Sequence, residues 1–233
     1  MHLADLTSAD FAAAVKANTV VILPVGAVEA HGPHLPLSAD ILQPMAVAEE
    51  VSAKTGALIA PPIHYGLCVT TKPYPGSITP GFDSLRAYVR DILADLHRNG
   101  VRHVVVLSGH AGREHMAALR LAAQEVVAAT GLDASVLSDY DIVYGSKLVP
   151  KGDGHAGTVE TSRVMRLRPD LVKALPKKSV SRLPKYGVVP DPRRYWPGVT
   201  GNPRRANVAL AKRLDALIVR EIVKIVRGMQ ASK

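Results

Sequence analysis

Four short apolar runs, mostly β-branched, lie at positions 19–27, 57–63, 101–108 and 134–137. A strand with one wet face alternates apolar and polar residues, so uninterrupted runs of this length predict strands buried on both faces. Between them the apolar positions recur at helical spacing. In 83–98, Leu85, Val89, Ile92 and Leu96 form one stripe, closed by Asn99-Gly100. Segment 39–54 is rich in Ala and Val with the same spacing, and 113–129 ends just before Gly131. A closing amphipathic helix is predicted from Val208, Ala211, Leu214, Leu217, Ile218, Ile222 and Ile225, with Lys212, Arg213, Arg220, Lys224 and Arg227 largely facing water. Strand and helix alternate, so the expected fold is α/β: a three-layer α/β/α domain with a mainly parallel sheet. At 233 residues the chain is long enough to bury a substantial core, and positions 1–233 are expected to form a single domain.

Ligands of such sheets bind at the carboxyl ends of the strands, and three polar clusters fall there. After the first strand come Glu29, His31, His34 and Asp40 within a dozen residues. Glu29 and His31 are two apart, which puts both side chains on the same side of extended backbone, and Asp40 can return at the start of the next helix. Carboxylates and imidazoles converging in this way suit a metal ion. The competing reading is a turn cluster in which Asp40 caps its helix. After the third strand, His110 sits on a glycine-flanked turn, a plausible further ligand. After the fourth, GDGHAGTVETS places His155 in a Gly-rich loop and Glu160 in the first turn of a helix running to Arg168, where its charge complements the helix dipole.

Composition narrows the function. The net charge of +9 is lopsided: from Lys173 onward there are 15 Lys+Arg against 3 Asp+Glu, while the preceding residues carry 14 and 17. The candidate site lies in the acidic part. With aromatics at 4%, few platforms exist for base stacking, which disfavours nucleic acid as a partner. No segment approaches the apolar length of a membrane span, the N-terminus lacks a secretory pattern, and the lone Cys68 cannot form an internal disulfide, so a cytoplasmic enzyme is expected. Cys68 is read as inert, since no activating partner is evident. His64, His97, His103 and His115 are read as ordinary surface or helix residues. Segment 173–205 is rich in Pro, Arg and Gly without periodicity, and Trp196 beside Tyr195 implies that part of it packs against something.

Three separated motifs carry a resemblance: Glu29-x-His31-Gly-Pro-His34-Leu-Pro followed by Asp40, the Gly109-His110 turn, and His155-Ala-Gly-x-x-Glu160-Thr-Ser. With the Tyr74-Pro-Gly-Ser-Ile segment between the first two, they are similar to the creatininase (creatinine amidohydrolase) family over about residues 20–172. The resemblance implies an amide hydrolase with two divalent metal ions per chain, zinc first, manganese or iron as alternatives, often assembled as a homohexamer. Asp40 would bridge the ions. Glu29 and His110 would complete one site and His31 the other. Gly112 stands where creatinine-hydrolysing members carry a further glutamate, which leaves Glu160, or failing it Glu114, as the missing ligand. His155 would serve as the proton-transferring group, with Glu160 also in the catalytic set, and His34 would orient a ligand or the loop.

The resemblance leaves the substrate open. Lys151 stands where creatinine-hydrolysing members carry a substrate-covering Trp, so creatinine itself is disfavoured. Arg113, Lys151 or the basic 173–205 segment could meet an anionic amide substrate. Tyr65, Thr70 and Ser77 are candidate pocket residues by position. The alternatives within the family are a deformylase acting on a formamidopyrimidine-type intermediate and a peptidase trimming a small modified peptide. A non-catalytic basic binding protein is the alternative of another class.

Overall fold

A computed structural model describes residues 1–232. Its centre is an all-parallel sheet of β1 (Val20–Val25), β2 (Leu58–Ile59), β3 (His103–Ser108) and β4 (Asp133–Ser138), in the order β2-β1-β3-β4. β1 and β3 are buried at every position, as their unbroken apolar runs require. β4 departs from that expectation: it is an edge strand, and only Ser138 of its six residues is buried. β2 is short because Pro61 and Pro62 lack the N–H groups that would continue its ladder, and pairing resumes only at Ile63.

Helices α2 (Ala39–Thr55), α3 (Phe82–Arg98), α4 (Arg113–Thr130) and α7 (Val208–Ala231) fall where the periodicity placed them, and α6 (Thr158–Leu167) carries Glu160. Two short helices, α1 (Ser8–Ala14) and α5 (Asp139–Tyr144), show too little periodicity to be seen, although each opens on a capping box, Thr7 with Asp10 and Ser138 with Asp141. The strand pleat divides the core. Val20, Ile22, Val105 and Leu107 pack with α2 and α7, while Val21, Leu23, Val104 and Val106 pack with α3 and α4. Three layers result, as the alternation of strand and helix predicts.

The strand order fixes where a site can form. From β1 the chain moves outward to β2, then returns to place β3 on the other side of β1, so the crevice at the carboxyl ends of β1 and β3 is the switch point of the sheet. Gly26 and Gly109 end those two strands. A Cβ on Gly26 would sit 2.4 Å, and one on Gly109 2.2 Å, from the Asp40 carbonyl oxygen. Only glycine at both points lets the first turn of α2 settle over the crevice, which brings the Asp40 side chain into it.

Candidate metal centre

Each polar cluster enters the crevice from a different element. Glu29 and His31 follow β1, Asp40 lies in the first turn of α2, His110 follows β3 and Glu160 lies in the first turn of α6. All five are buried. Asp40 Oδ1 lies 3.1 Å from His31 Nε2, and Asp40 Oδ2 lies 3.1 Å from His110 Nδ1. Glu29 Oε2 is 2.9 Å from the same His110 nitrogen, and Glu160 Oε2 is 3.6 Å from His31 Nε2. Two donor groups therefore form, Glu29–Asp40–His110 and His31–Asp40–Glu160, with one Asp40 oxygen offered to each.

The outer ring nitrogens decide what the inner ones can do. His31 Nδ1 lies 3.0 Å from the Glu29 carbonyl oxygen, and His110 Nε2 lies 3.1 Å from that of Leu67. Carbonyls only accept, so those nitrogens carry protons, and a neutral ring then aims a lone pair at the carboxylates. A lone pair facing an anion is repulsive unless a cation lies between them. Glu29 Oε2, Asp40 Oδ2 and His31 Nε2 are also buried without a hydrogen-bond partner, a costly arrangement for three adjacent atoms. Tetrahedral ligands at zinc distances stand about 3.4 Å apart, close to the separations found here. The residues fit a pair of divalent ions.

Without metal, protons fill the same need. Burial depresses His31, but Asp40, Glu160 and Glu29 outweigh it and push the imidazole up to about 10. Burial likewise opposes charge on His110, and Glu29 and Asp40 hold it well above its ordinary value. Glu29 is raised by burial but held well below the usual carboxylate range by His110, His155 and His31. Burial raises Glu160.

Neighbouring groups aim the ligands. The Thr71 hydroxyl donates to Glu29 Oε1, leaving Oε2 for the crevice. Ala156, the one non-glycine with a left-handed φ (53°) among the described residues, points its N–H at Glu160 Oε2. His34 lies 2.9 Å from Thr161 Oγ1, tying the first loop to α6. Burial, with His31 and His155 nearby, pushes the His34 pKa down to about 4, so its ring is neutral. His115 lies on a helix, one of the two places expected for it, but it is not an ordinary helix residue. It is fully buried; its Nδ1 accepts from the Leu67 N–H at 3.2 Å and its Nε2 faces Ser108 Oγ at 3.0 Å. Ser108 in turn donates to the His110 carbonyl and accepts the His110 N–H. His103 is also buried, 3.0 Å from Asp133 at the far end of the sheet.

His155 adjoins the donors: one of its ring nitrogens lies within 4.8 Å of donor atoms of Glu29 and His31, a further set of groups able to hold an ion. Its ring lies 4.3 Å from that of His31, and its Nε2 donates to the Ala30 carbonyl at 2.8 Å, which leaves Nδ1 to exchange a proton. The cleft over the donors encloses about 340 Å³ and is walled by Tyr140, Tyr144, His155 and Trp196, with Thr70 at its edge. Trp196 meets His155 edge-on at 5.2 Å. The expected packing role for this residue is thereby found, although its place on the cleft had no signal in the sequence. Arg113, Glu114 and Lys151 are exposed and do not line the cleft, which removes Glu114 as a ligand and Arg113 and Lys151 as contacts within it. Tyr65 lines a separate depression, and Ser77 accepts the Ala30 N–H instead of facing the cleft. Cys68 is buried within 4.8 Å of Glu29 and His110 donor atoms, and burial, with Glu29 and Asp40 near, drives its thiol far up, so it stays protonated.

The family model for creatininase (creatinine amidohydrolase) matches residues 4–226. The chain belongs to the creatininase family. It is 32% identical to the creatinine amidohydrolase of Pseudomonas putida, covering 97% of this chain and 96% of that one. It is 30% identical to the mycofactocin precursor peptide peptidase of Mycobacterium tuberculosis (strain CDC 1551 / Oshkosh), over 94% and 89% of the two chains. A mutant creatininase structure of Zn-Zn type superposes with a TM-score of 0.90 at 28% identity, covering 99% of this chain and 98% of that one. Membership makes the protein an amide hydrolase, and the three-layer parallel fold is that of its family. No helix among the described residues is long and apolar enough to cross a membrane.

Proposed function

We propose that the protein is a dinuclear metal-dependent amidohydrolase that cleaves a non-peptide or cyclic C–N amide bond, with residues 1–233 acting as one hydrolase domain. The observation that carries the reading is the division of Asp40, whose two oxygens face two imidazoles that each turn an unprotonated nitrogen inward. Glu29, Asp40 and His110 would hold one divalent ion, and His31, Asp40 and Glu160 the other. Zinc is the first candidate, given imidazole and carboxylate donors and a related Zn-Zn structure, with manganese or iron as alternatives.

Such ions, when bound, acidify water and polarise the amide carbonyl. The chain's own groups do the rest. His155 Nδ1 moves a proton to the departing nitrogen, while the Ala30 carbonyl fixes its ring. Trp196 and His155 wall the cleft and limit water around the amide. Glu160, held by the Ala156 N–H, keeps its inner oxygen in place as charge shifts.

Creatinine remains disfavoured on Gly112 alone, because Trp196 supplies an aromatic wall that Lys151 does not. Cleavage of a small modified peptide is the second reading, supported by the relative that bears that activity in its name. A cytoplasmic homo-oligomer, hexameric by resemblance, is the proposed form. Elemental analysis is expected to find about two transition-metal ions per chain, and fewer than one would reject the dinuclear reading. A panel of cyclic amides, formamides and short peptides given to the metal-loaded protein then separates the substrate classes.

A further inference from the structure

The basic 173–205 segment forms two arms beside the cleft. Ser179 and Gly201 exchange both backbone hydrogen bonds at 2.9 Å, and the Arg182 N–H donates to the Tyr195 carbonyl at 3.0 Å. The Tyr74 hydroxyl donates to the Trp196 carbonyl, the Thr200 N–H donates to the His155 carbonyl and the Thr200 carbonyl accepts from the Gly154 N–H, so the base of the arms is tied to the His155 loop. The first arm divides its side chains by alternation. Ser181 and Leu183 face the cleft, while Val180 and Arg182 face a second groove of about 480 Å³ on the other side. Trp196 is common to both, so one indole separates the two spaces.

The ionic side chains that line them differ in sign. The cleft is lined by Glu29, Asp40 and Glu160 and by no lysine or arginine. The groove is lined by Lys178, Arg182, Arg193 and Arg194 and by no carboxylate. Arg193 is paired with Asp191 at 2.8 Å, but among the described residues Lys178, Arg182 and Arg194 enter no ion pair. The three carboxylates of the cleft would be offset by the ions they hold, whereas just over the Trp196 edge an anionic group on a substrate finds three cations that have no carboxylate partner.

We propose that this groove is an anion subsite, and that the substrate is an amide carrying a carboxylate or phosphate on the end that leaves the cleft across the arm. The inference rests on the hydrolase reading for the amide end only. It replaces Arg113 and Lys151 with Arg182, Arg194 and Lys178 as the groups that select charge. Planar guanidinium pairs suit both anions, since each can accept two parallel N–H donors.

The test is isothermal titration of the holoenzyme with inorganic phosphate and with glutarate, repeated after chelator dialysis. Saturable binding is expected in both states, weakened about tenfold or more in Arg182→Gln/Arg194→Gln as charge-assisted bonds are lost, and unchanged in Arg113→Gln. Tighter binding of phosphate assigns a phosphorylated substrate, and tighter binding of glutarate a carboxylate. Binding that vanishes on chelation and survives the double substitution places the anion on the metal ions and overturns the subsite, as does an absence of binding or an equal loss in Arg113→Gln. A protein that lacks metal yet binds the anion through Arg182 and Arg194 would reject the hydrolase reading and leave the subsite standing.

Discussion

His115 Nε2 lies 3.0 Å from Ser108 Oγ, and through that hydroxyl a helix side chain controls the backbone of His110 on both its N–H and its carbonyl. The same imidazole holds the Leu67 N–H, whose residue's carbonyl orients the His110 ring. One neutral ring therefore sets the direction of a candidate ligand from two sides. Burial and the nearby His110 keep His115 well below its ordinary pKa, consistent with that neutral state.

The consequence for metal binding is separable from folding. His115→Leu removes both bonds and is expected to weaken binding at the His110 site about 10- to 100-fold, the usual effect of losing an orienting partner. His115→Gln can accept with its oxygen and donate with its nitrogen, and should restore most of the affinity. Cobalt titration followed by visible absorption reads the difference. Equal affinity in the Leu variant would show that the ring only packs.

Asp40 and Glu160 should differ in stoichiometry. Asp40→Ala removes a donor from both groups and should lower the metal content towards zero, whereas Glu160→Ala should leave about one ion per chain. Glu29→Ala should likewise spare the His31 side. Plasma mass spectrometry of the folded, dialysed variants measures this, and full occupancy in Asp40→Ala would reject the bridging assignment.

Proton and metal compete for one set of atoms, which gives a pH signature. His31 has a folded pKa of about 10 against an ordinary 6.5, so in the metal-free protein its contribution to stability is complete below about 6.5 and is lost as pH rises towards 10. His110 shifts in the same direction. The urea midpoint of chelated protein should therefore fall between pH 7 and pH 10, while the metal-loaded protein should hold its midpoint through the same range. A flat profile for the chelated protein would show that the inner nitrogens are not protonated there.

Trp196 is the single tryptophan of the chain and is only 5% exposed, on the wall of the cleft. Its emission should be blue-shifted in the native protein and quenched when cobalt is added. Trp196→Ala should lower kcat by removing the ring against His155, and should destabilise by about 3–5 kcal/mol as a buried aromatic truncation. An emission maximum typical of water would mean that the arm does not lie on the cleft.

Arg163 is wholly buried between Asp139 and Asp215, at 2.6 and 2.7 Å, on the helix that carries Glu160. Arg163→Met leaves two buried carboxylates without their cation and should cost about 3–5 kcal/mol in chemical denaturation. A loss under 1 kcal/mol would mean the pair is solvated.

The candidate ligands were legible because each follows a strand or opens a helix within a few residues of an apolar run, so local pattern and chemistry coincide. The layers were legible for the same reason, and β4 was legible as a strand but not as an exposed edge, since an edge strand and a central one share the same apolar run when short. His115 gave no signal: its partners are Ser108 and Leu67, the latter 48 residues away on an irregular loop. Trp196 lies in a segment without periodicity, and its place beside His155 depends on backbone bonds between Thr200 and the His155 loop. Arg113 and Lys151 stood close in sequence to candidate site residues, but closeness in sequence does not fix the direction of an exposed side chain.

The residues that would hold metal lie between Glu29 and Glu160, on strand ends and first helical turns, whereas the arm that closes and divides the cleft lies wholly within 173–205. On the proposed reading, the candidate ligands and the groups that would select a substrate's charge occupy separate stretches of chain. Exchanging the outer part of that irregular stretch, with Trp196 and the Thr200 bonds to the His155 loop kept, is a route to a new specificity that leaves the reacting centre in place.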